Sequence, residues 1–228
     1  IRDCAGEYGG AVYIKKGAES TEAPSFNMSG GEIYLCKAEM DGGAVYLEDG
    51  YVTISGSTAK IRSCESNYSG GAICIRKTGE YNPSFTMSGG NLLDNYAGVE
   101  GGAVHLEGGE VTVSGGNING NVVLNGNGGG ISINSGGFTM SGDALISANS
   151  ALIQDANQTG LGTGGGVYIT SATGEVAVNL LSGIIAGNSS AKNGGGIGVD
   201  VSKENTSAIV TVGYNDSEDG PVGPAVTG

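Results

Sequence analysis

Gly42-Gly43-Ala44-Val45-Tyr46-Leu47 decides how this chain is read: two glycines, a small residue, then two aliphatic side chains flanking a variable one. The pattern recurs as Gly9-Gly10-Ala11-Val12-Tyr13-Ile14, Gly70-Gly71-Ala72-Ile73-Cys74-Ile75 and Gly101-Gly102-Ala103-Val104-His105-Leu106. Copies beginning at Gly128, Gly164 and Gly194 carry a third glycine in place of the alanine. Successive copies lie 33, 28, 31, 27, 36 and 30 residues apart. A bounded but uneven period of this length marks stacked structural repeats.

Working outward, each repeat holds two more apolar stretches. A Phe/Val-x-Met/Ile/Val-Ser stretch stands at Phe26–Ser29, Val52–Ser55, Phe85–Ser88, Val111–Ser114 and Phe138–Ser141, with looser versions near Leu181-Ser182 and Val210-Thr211-Val212. An Ile/Leu-x-x-Asn/Cys turn then ends at Cys4, Cys36, Cys64, Asn95, Asn121, Asn149 and Asn188. Alternation within each stretch gives one apolar face per short strand. Such strands cannot each bury a face alone. Wound as a coil, each pairs in parallel with its counterpart one turn away, at about 4.8 Å, and the apolar faces stack into one interior. Crossover connections of this kind are right-handed.

The expected fold is therefore all-β: a right-handed parallel β-helix, or solenoid, of about seven coils with three short strands per coil. It spans residues 1–213, and residues 214–228, with Pro221 and Pro224, read as an irregular tail or linker. A hairpin sandwich would need two-residue type I′ turns between strands, and these are mostly missing. Polar inserts at Lys16–Ser25, Lys77–Ser84, Leu152–Thr163 and Ser202–Ala208 enter at turns and read as projecting loops.

Composition narrows the function. Gly contributes 46 of 228 residues without a Gly-X-Y period, which excludes collagen. A formal net charge of −13 without a basic cluster argues against a nucleic-acid partner. No stretch reaches the roughly 20 apolar residues of a membrane-spanning helix, so this segment is not expected to insert. Ile1 falls inside a repeat, so the chain reads as a piece of a longer protein, and missing targeting signals carry no weight.

In a solenoid, side chains are read as columns. The Asn/Cys column (Cys4, Cys36, Cys64, Asn95, Asn121, Asn149, Asn188) points inward, where stacked amides satisfy turn backbone and each other. Cys36–Cys64 or Cys4–Cys36 are near enough to be bridged. With no His or carboxylate converging on that column, no metal is expected, and no cofactor is implied. The outward column of the Gly-Gly strand is Tyr13, Tyr46, Cys74, His105, Ser132, Tyr168, Gly198. On an open sheet face, Tyr13, Tyr46, His105 and Tyr168 form a candidate surface for a sugar or protein partner. Two residues on, Lys15, Glu48, Arg76 and Glu107 alternate in sign as a salt-bridge ladder would. Cys74 beside His105, with Glu107 near, invites a Cys–His nucleophile reading, though an open face offers no evident oxyanion donors. Thr53, Thr86, Thr112 and Thr139, with Ser55, Ser88, Ser114 and Ser141, form an outward hydroxyl lattice of the kind that suits ice or crystalline polysaccharide, built from residues that are also ordinary in strands and turns.

The Asn-x-Ala-x-x-x-Gly-Gly-Ala-Val pattern from Asn95 to Val104, echoed from Asn188 to Ile197, resembles the β-helix repeats of large bacterial surface proteins, including adhesin-like proteins of gut anaerobes. It is similar, too, to repeats of chlamydial polymorphic outer membrane proteins, with the difference that the Asn here follows Ile or Leu rather than Phe. The resemblance covers roughly residues 1–213. It implies an extracellular, cell-surface adhesive or structural module without chemistry of its own, meeting a glycan or protein on a host or neighbouring cell. Two other readings stand beside it. The wider β-helix class holds polysaccharide lyases and glycosidases, for which Glu48, Arg76, His105 and Glu107 are the one cluster available. Open coil ends could also pair end to end, making the chain a filament subunit.

Overall fold

The apolar alternations all resolve toward one interior in the computed structural model, which describes residues 1–17, 19–79, 81–154, 161–171, 175–201, 206–213 and 225–227. The described residues form strands and no helix, and neighbouring strands run parallel. The Gly-Gly strands stack as Val12–Ile14, Val45–Leu47, Ile73–Arg76, the start of Val104–Asn119, the start of Ile131–Met140, Val167–Thr170 and Ile197–Asp200. The other two strands of each coil stack likewise. In one middle coil all three merge, so that Val104–Asn119 is one strand serving all three faces, and in its neighbours two of the three merge, as Ser84–Leu93 and Ile131–Met140. The result is a β-solenoid of about six turns.

Apolar columns fill the inside. Phe26, Val52, Phe85, Val111, Phe138, Val178 and Val210 lie in register, as do Met28, Ile54, Met87, Val113, Met140, Leu180 and Val212. Ile33, Ile61, Leu92, Ile118, Ile146 and Ile185 make the third wall. Most are fully buried, each contributing about 2 kcal/mol of transfer free energy. A separate seven-stranded sheet of two-residue strands, from Ala5–Gly6 to Ser189–Ser190, closes each coil between the Asn/Cys turn and the next Gly-Gly pair. It packs a small second cluster of Ala97, Val123 and Ala151.

Two turns fix the coil. At the Gly-Gly pair the first glycine, Gly42, takes φ 70°. The second cannot carry a side chain, because a Cβ on Gly43 would lie 2.1 Å from the carbonyl oxygen of Gly71 in the next coil. At the other turn, the residue before each Cys or Asn is left-handed: Asp3, Leu35, Ser63, Asp94, Gly120, Ala148 and Gly187. That bend turns the following Cys or Asn into the interior.

The inward amide ladder is as the spacing predicts. Asn95, Asn121, Asn149 and Asn188 link Nδ2 to Oδ1 at 2.9 Å across each step. Each Nδ2 also donates to a carbonyl of the preceding coil, at Ile61, Leu92, Ile118 and Ile146. The ladder passes to the cysteines where Asn95 Oδ1 accepts the backbone N–H of Cys64 at 3.0 Å. Cys4, Cys36, Cys64 and Cys74 are all free. The Cys36 and Cys64 thiols donate to the carbonyls of Tyr34 and Arg62, and burial pushes the Cys64 thiol up to about 12.

Within the stretch set apart as a tail, Ala225–Thr227 forms a strand paired in parallel with Ile184–Ala186. Residues 214–224 and Gly228 lie outside the described residues, as do parts of the inserts at Leu152–Thr163 and Ser202–Ala208.

Candidate functional site

The outward column of the Gly-Gly strands holds the chain's one His and, at Cys74, the cysteine outside the inward ladder. Register confirms the column: Tyr13, Tyr46, Cys74, His105, Ser132, Tyr168 and Gly198 are consecutive partners. Its expected setting, an open sheet face, is wrong. Tyr13 is 48% exposed, but Tyr46 is 3%, His105 2% and Tyr168 6% exposed, and Cys74 and Ser132 are closed off completely.

The cause is the Gly-Gly turn. Its left-handed first glycine folds the chain back sharply, so the residue just before it lies over the strand just after it. Those preceding residues form a column of their own: Tyr8, Asp41, Ser69, Glu100, Asn127 and Thr163. Asp41 Oδ1 accepts the Ser69 N–H at 2.9 Å, and Asn127 Oδ1 accepts that of Thr163 at 2.9 Å, so the column is pinned coil to coil. The Tyr8 ring meets Tyr46 at 4.8 Å, and Tyr13 stacks parallel on Tyr46 at 5.7 Å. The two walls thus make a filled re-entrant corner rather than a flat face.

Charges in the corner are paired locally. Glu48 takes Lys15 at 2.7 Å, the Tyr13 hydroxyl at 2.9 Å and the Thr78 hydroxyl at 3.2 Å. Burial alone would raise its pKa, but these partners outweigh it and the net shift is downward. Arg76 bridges Glu107 at 2.7 Å and Asp41 at 3.2 Å. Two of the expected ladder pairs, Lys15–Glu48 and Arg76–Glu107, are therefore present, while Arg76 spends its other arm on Asp41, a residue outside that ladder.

His105 faces Glu100, not Glu107. Its Nδ1 lies 3.4 Å from Glu100 Oε2, in a geometry that makes no hydrogen bond, and is a buried polar atom without a partner. Glu100 Oε2 accepts from Asn134 Nδ2 at 2.7 Å. Burial, helped by the positive Arg76, takes His105 down to about 3, so the imidazole is neutral. Burial raises Glu100 and Asp41, and raises the Cys74 thiol well above its ordinary range. Cys74 and His105 are register partners, but a catalytic thiol needs a depressed pKa and access. This one has the reverse of both. Asp41 and Glu100 escaped the reading of the sequence, although their position before each Gly-Gly pair was a visible column.

Comparison with protein-family models, curated proteins and solved structures finds no match.

Proposed function

We propose that this chain is a non-catalytic, adhesive or structural β-solenoid module of a larger extracellular bacterial surface protein, presenting its side-chain columns and loops to a glycan or protein partner. The observation that carries the reading is the state of the corner at His105. Where His, Cys, Arg and carboxylates meet among the described residues, the His105 imidazole and the Cys74 thiol are buried, Arg76 is ion-paired to Glu107 and Asp41, and the imidazole is neutral and the thiol protonated. A hydrolase or lyase needs titratable groups poised at an accessible cleft. A display module needs a rigid stack that keeps its loops and outer columns in fixed register, and the continuous amide ladder and apolar columns supply that. The resemblance of the Asn95–Val104 pattern to surface-protein repeats points the same way.

The test uses one set of tubes. The protein is incubated with neutral and acidic polysaccharides, mucin glycans and protein-coated beads, and both retention and newly formed reducing or unsaturated chain ends are recorded. Retention without new ends is expected. New chain ends that scale with protein concentration would overturn the reading in favour of a polysaccharide-degrading enzyme.

A further inference from the structure

The Phe/Val-x-Met/Ile/Val strands present a second outward surface that, unlike the corner, is open and nearly uncharged. Its central column runs Asn27, Thr53, Thr86, Thr112, Thr139, Asn179, Thr211 in unbroken register, and none of these is buried. The neighbouring column, Ser25, Tyr51, Ser84, Glu110, Gly137, Ala177, Ile209, contains a single charge. At Gly137 that column loses its side chain. What remains is a notch of about 270 Å³ lined by Glu110, Gly137, Thr139, Glu175, Ala177 and Asn179 among others.

The chemistry of the lining is specific. Glu110 bends over the vacant position: a Cβ on Gly137 would lie 2.0 Å from its Oε2. Among the described residues no cation is paired with Glu110 or Glu175. Thr139 and Asn179 add a hydroxyl and an amide, which both donate and accept. The Ala177 methyl and the Cα of Gly137 add a small apolar patch to the lining. Hydrogen-bonding groups around such a patch match a ring whose rim carries hydroxyls and whose face carries C–H groups. Two carboxylates repel an acidic ring.

We propose that this notch binds a pyranose unit of a neutral glycan. Glu110 accepts hydrogen bonds from neighbouring sugar hydroxyls, and Thr139 and Asn179 complete the set. The Thr column, rising about 4.8 Å per coil, continues as a polar track for the adjoining sugars. This rests on the display reading above and adds to it a site and a ligand class.

Gly137 provides a clean variant. Its φ is not left-handed, and the atom that an alanine methyl would strike is the end of a flexible side chain. Gly137→Ala therefore puts a methyl where the Glu110 carboxylate now lies and pushes that side chain out of the notch without disturbing the coil, which matched thermal unfolding verifies. The full chain, Gly137→Ala, Glu110→Ala and a remote control, Tyr96→Ala, are titrated by affinity electrophoresis against neutral glucans, galactans and mannans, uronate-rich counterparts and a protein-coated matrix. Calcium chloride alone is titrated in parallel by calorimetry.

The expected result is retention on a neutral glycan but not on the uronates, weakened about tenfold or more by Gly137→Ala and by Glu110→Ala, and unchanged by Tyr96→Ala. Undiminished retention of Gly137→Ala overturns the notch and leaves the display reading standing. So does retention confined to the uronates or the protein matrix. No retention anywhere removes both. Calcium binding abolished by Gly137→Ala, without any sugar binding, makes the notch a cation site and overturns the proposal.

Discussion

Asn121 and Asn149 are joined twice: Oδ1 of Asn149 accepts the Asn121 side-chain Nδ2 at 2.9 Å and the Asn121 backbone N–H at 3.0 Å. Nδ2 of Asn149 donates onward to the Ile118 carbonyl and to Asn188 Oδ1, each at 2.9 Å. One fully buried amide thus serves four partners in a space closed to water. The neighbouring coils are tied by that amide as well as by their strands.

Truncating it should be costly. Asn149→Ala leaves at least the Asn121 N–H and the Ile118 carbonyl without this partner in a dry interior, and each orphaned group costs about 1–3 kcal/mol. A loss of about 3 kcal/mol or more in urea unfolding is expected. Asn149→Asp keeps the shape but removes both donors and adds a buried charge, so it should be at least as damaging. A value for Asn149→Ala within about 0.5 kcal/mol of the parent, the range of an ordinary surface change, would show that the ladder is decorative.

The ladder is legible in the sequence because an Asn that recurs at one place among apolar neighbours must have a partner. The corner at His105 is legible only halfway. Alternation with Val104 and Leu106 says that His105 points away from the interior, and it does. Period-2 patterning cannot say what stands opposite. Glu100, 3.4 Å from His105, and Asp41, 3.2 Å from Arg76, are brought back there by the turns at Gly101 and Gly42, and a reversal of this kind has no periodic signature. The notch is fainter still, since its signal is one missing side chain at Gly137 in a column of mixed residues.

The left-handed position before each ladder residue makes a second prediction. Ala148 sits at φ 53° and Leu35 at φ 55°, where Gly187 takes φ 60° in another coil. An L-residue there costs about 1–2 kcal/mol, partly offset by the greater chain entropy that glycine loses, about 0.5–1 kcal/mol. Ala148→Gly should therefore stabilise the fold by roughly 0.5–1 kcal/mol. The reverse change is a cleaner measurement, because a Cβ on Gly187 would meet no atom within 4 Å. Gly187→Ala should destabilise by a similar amount through φ alone, and a neutral result in thermal unfolding would mean that the turn relaxes.

Tyr13 and Tyr46 stack on one another yet should respond differently to truncation. Tyr46 is wedged between Tyr8 and Tyr13 with almost no solvent contact, so Tyr46→Ala should cost about 3–5 kcal/mol, as for other buried aromatic rings. Tyr13 is half-exposed, and Tyr13→Phe, which loses only the hydrogen bond to Glu48, should cost about 1 kcal/mol. Alanine at Tyr46 therefore tests packing and says little about recognition. Equal losses at the two positions, measured by urea unfolding, would mean that the corner is open in solution.

The corner should also make stability depend on pH, and the sign follows from His105. Its pKa falls from 6.5 to about 3 on folding, through burial first and Arg76 second. Between those values the unfolded chain holds the proton and the folded chain does not. Stability therefore drops as pH falls through that window, by at most about 1.4 kcal/mol per pH unit from this group. Glu100 works in the opposite sense. Its folded pKa is raised by burial, so its contribution weakens as pH rises from its unfolded value toward its folded one. His105→Gln removes the first effect and leaves the second, along with the background from other carboxylates. Urea unfolding between pH 7.5 and 4 should give a shallower decline for His105→Gln than for the parent. Parallel curves would mean that the folded imidazole takes up a proton in the ordinary range, and a proton-NMR titration of its ring hydrogens would then show the shift near pH 6 that a closed corner forbids.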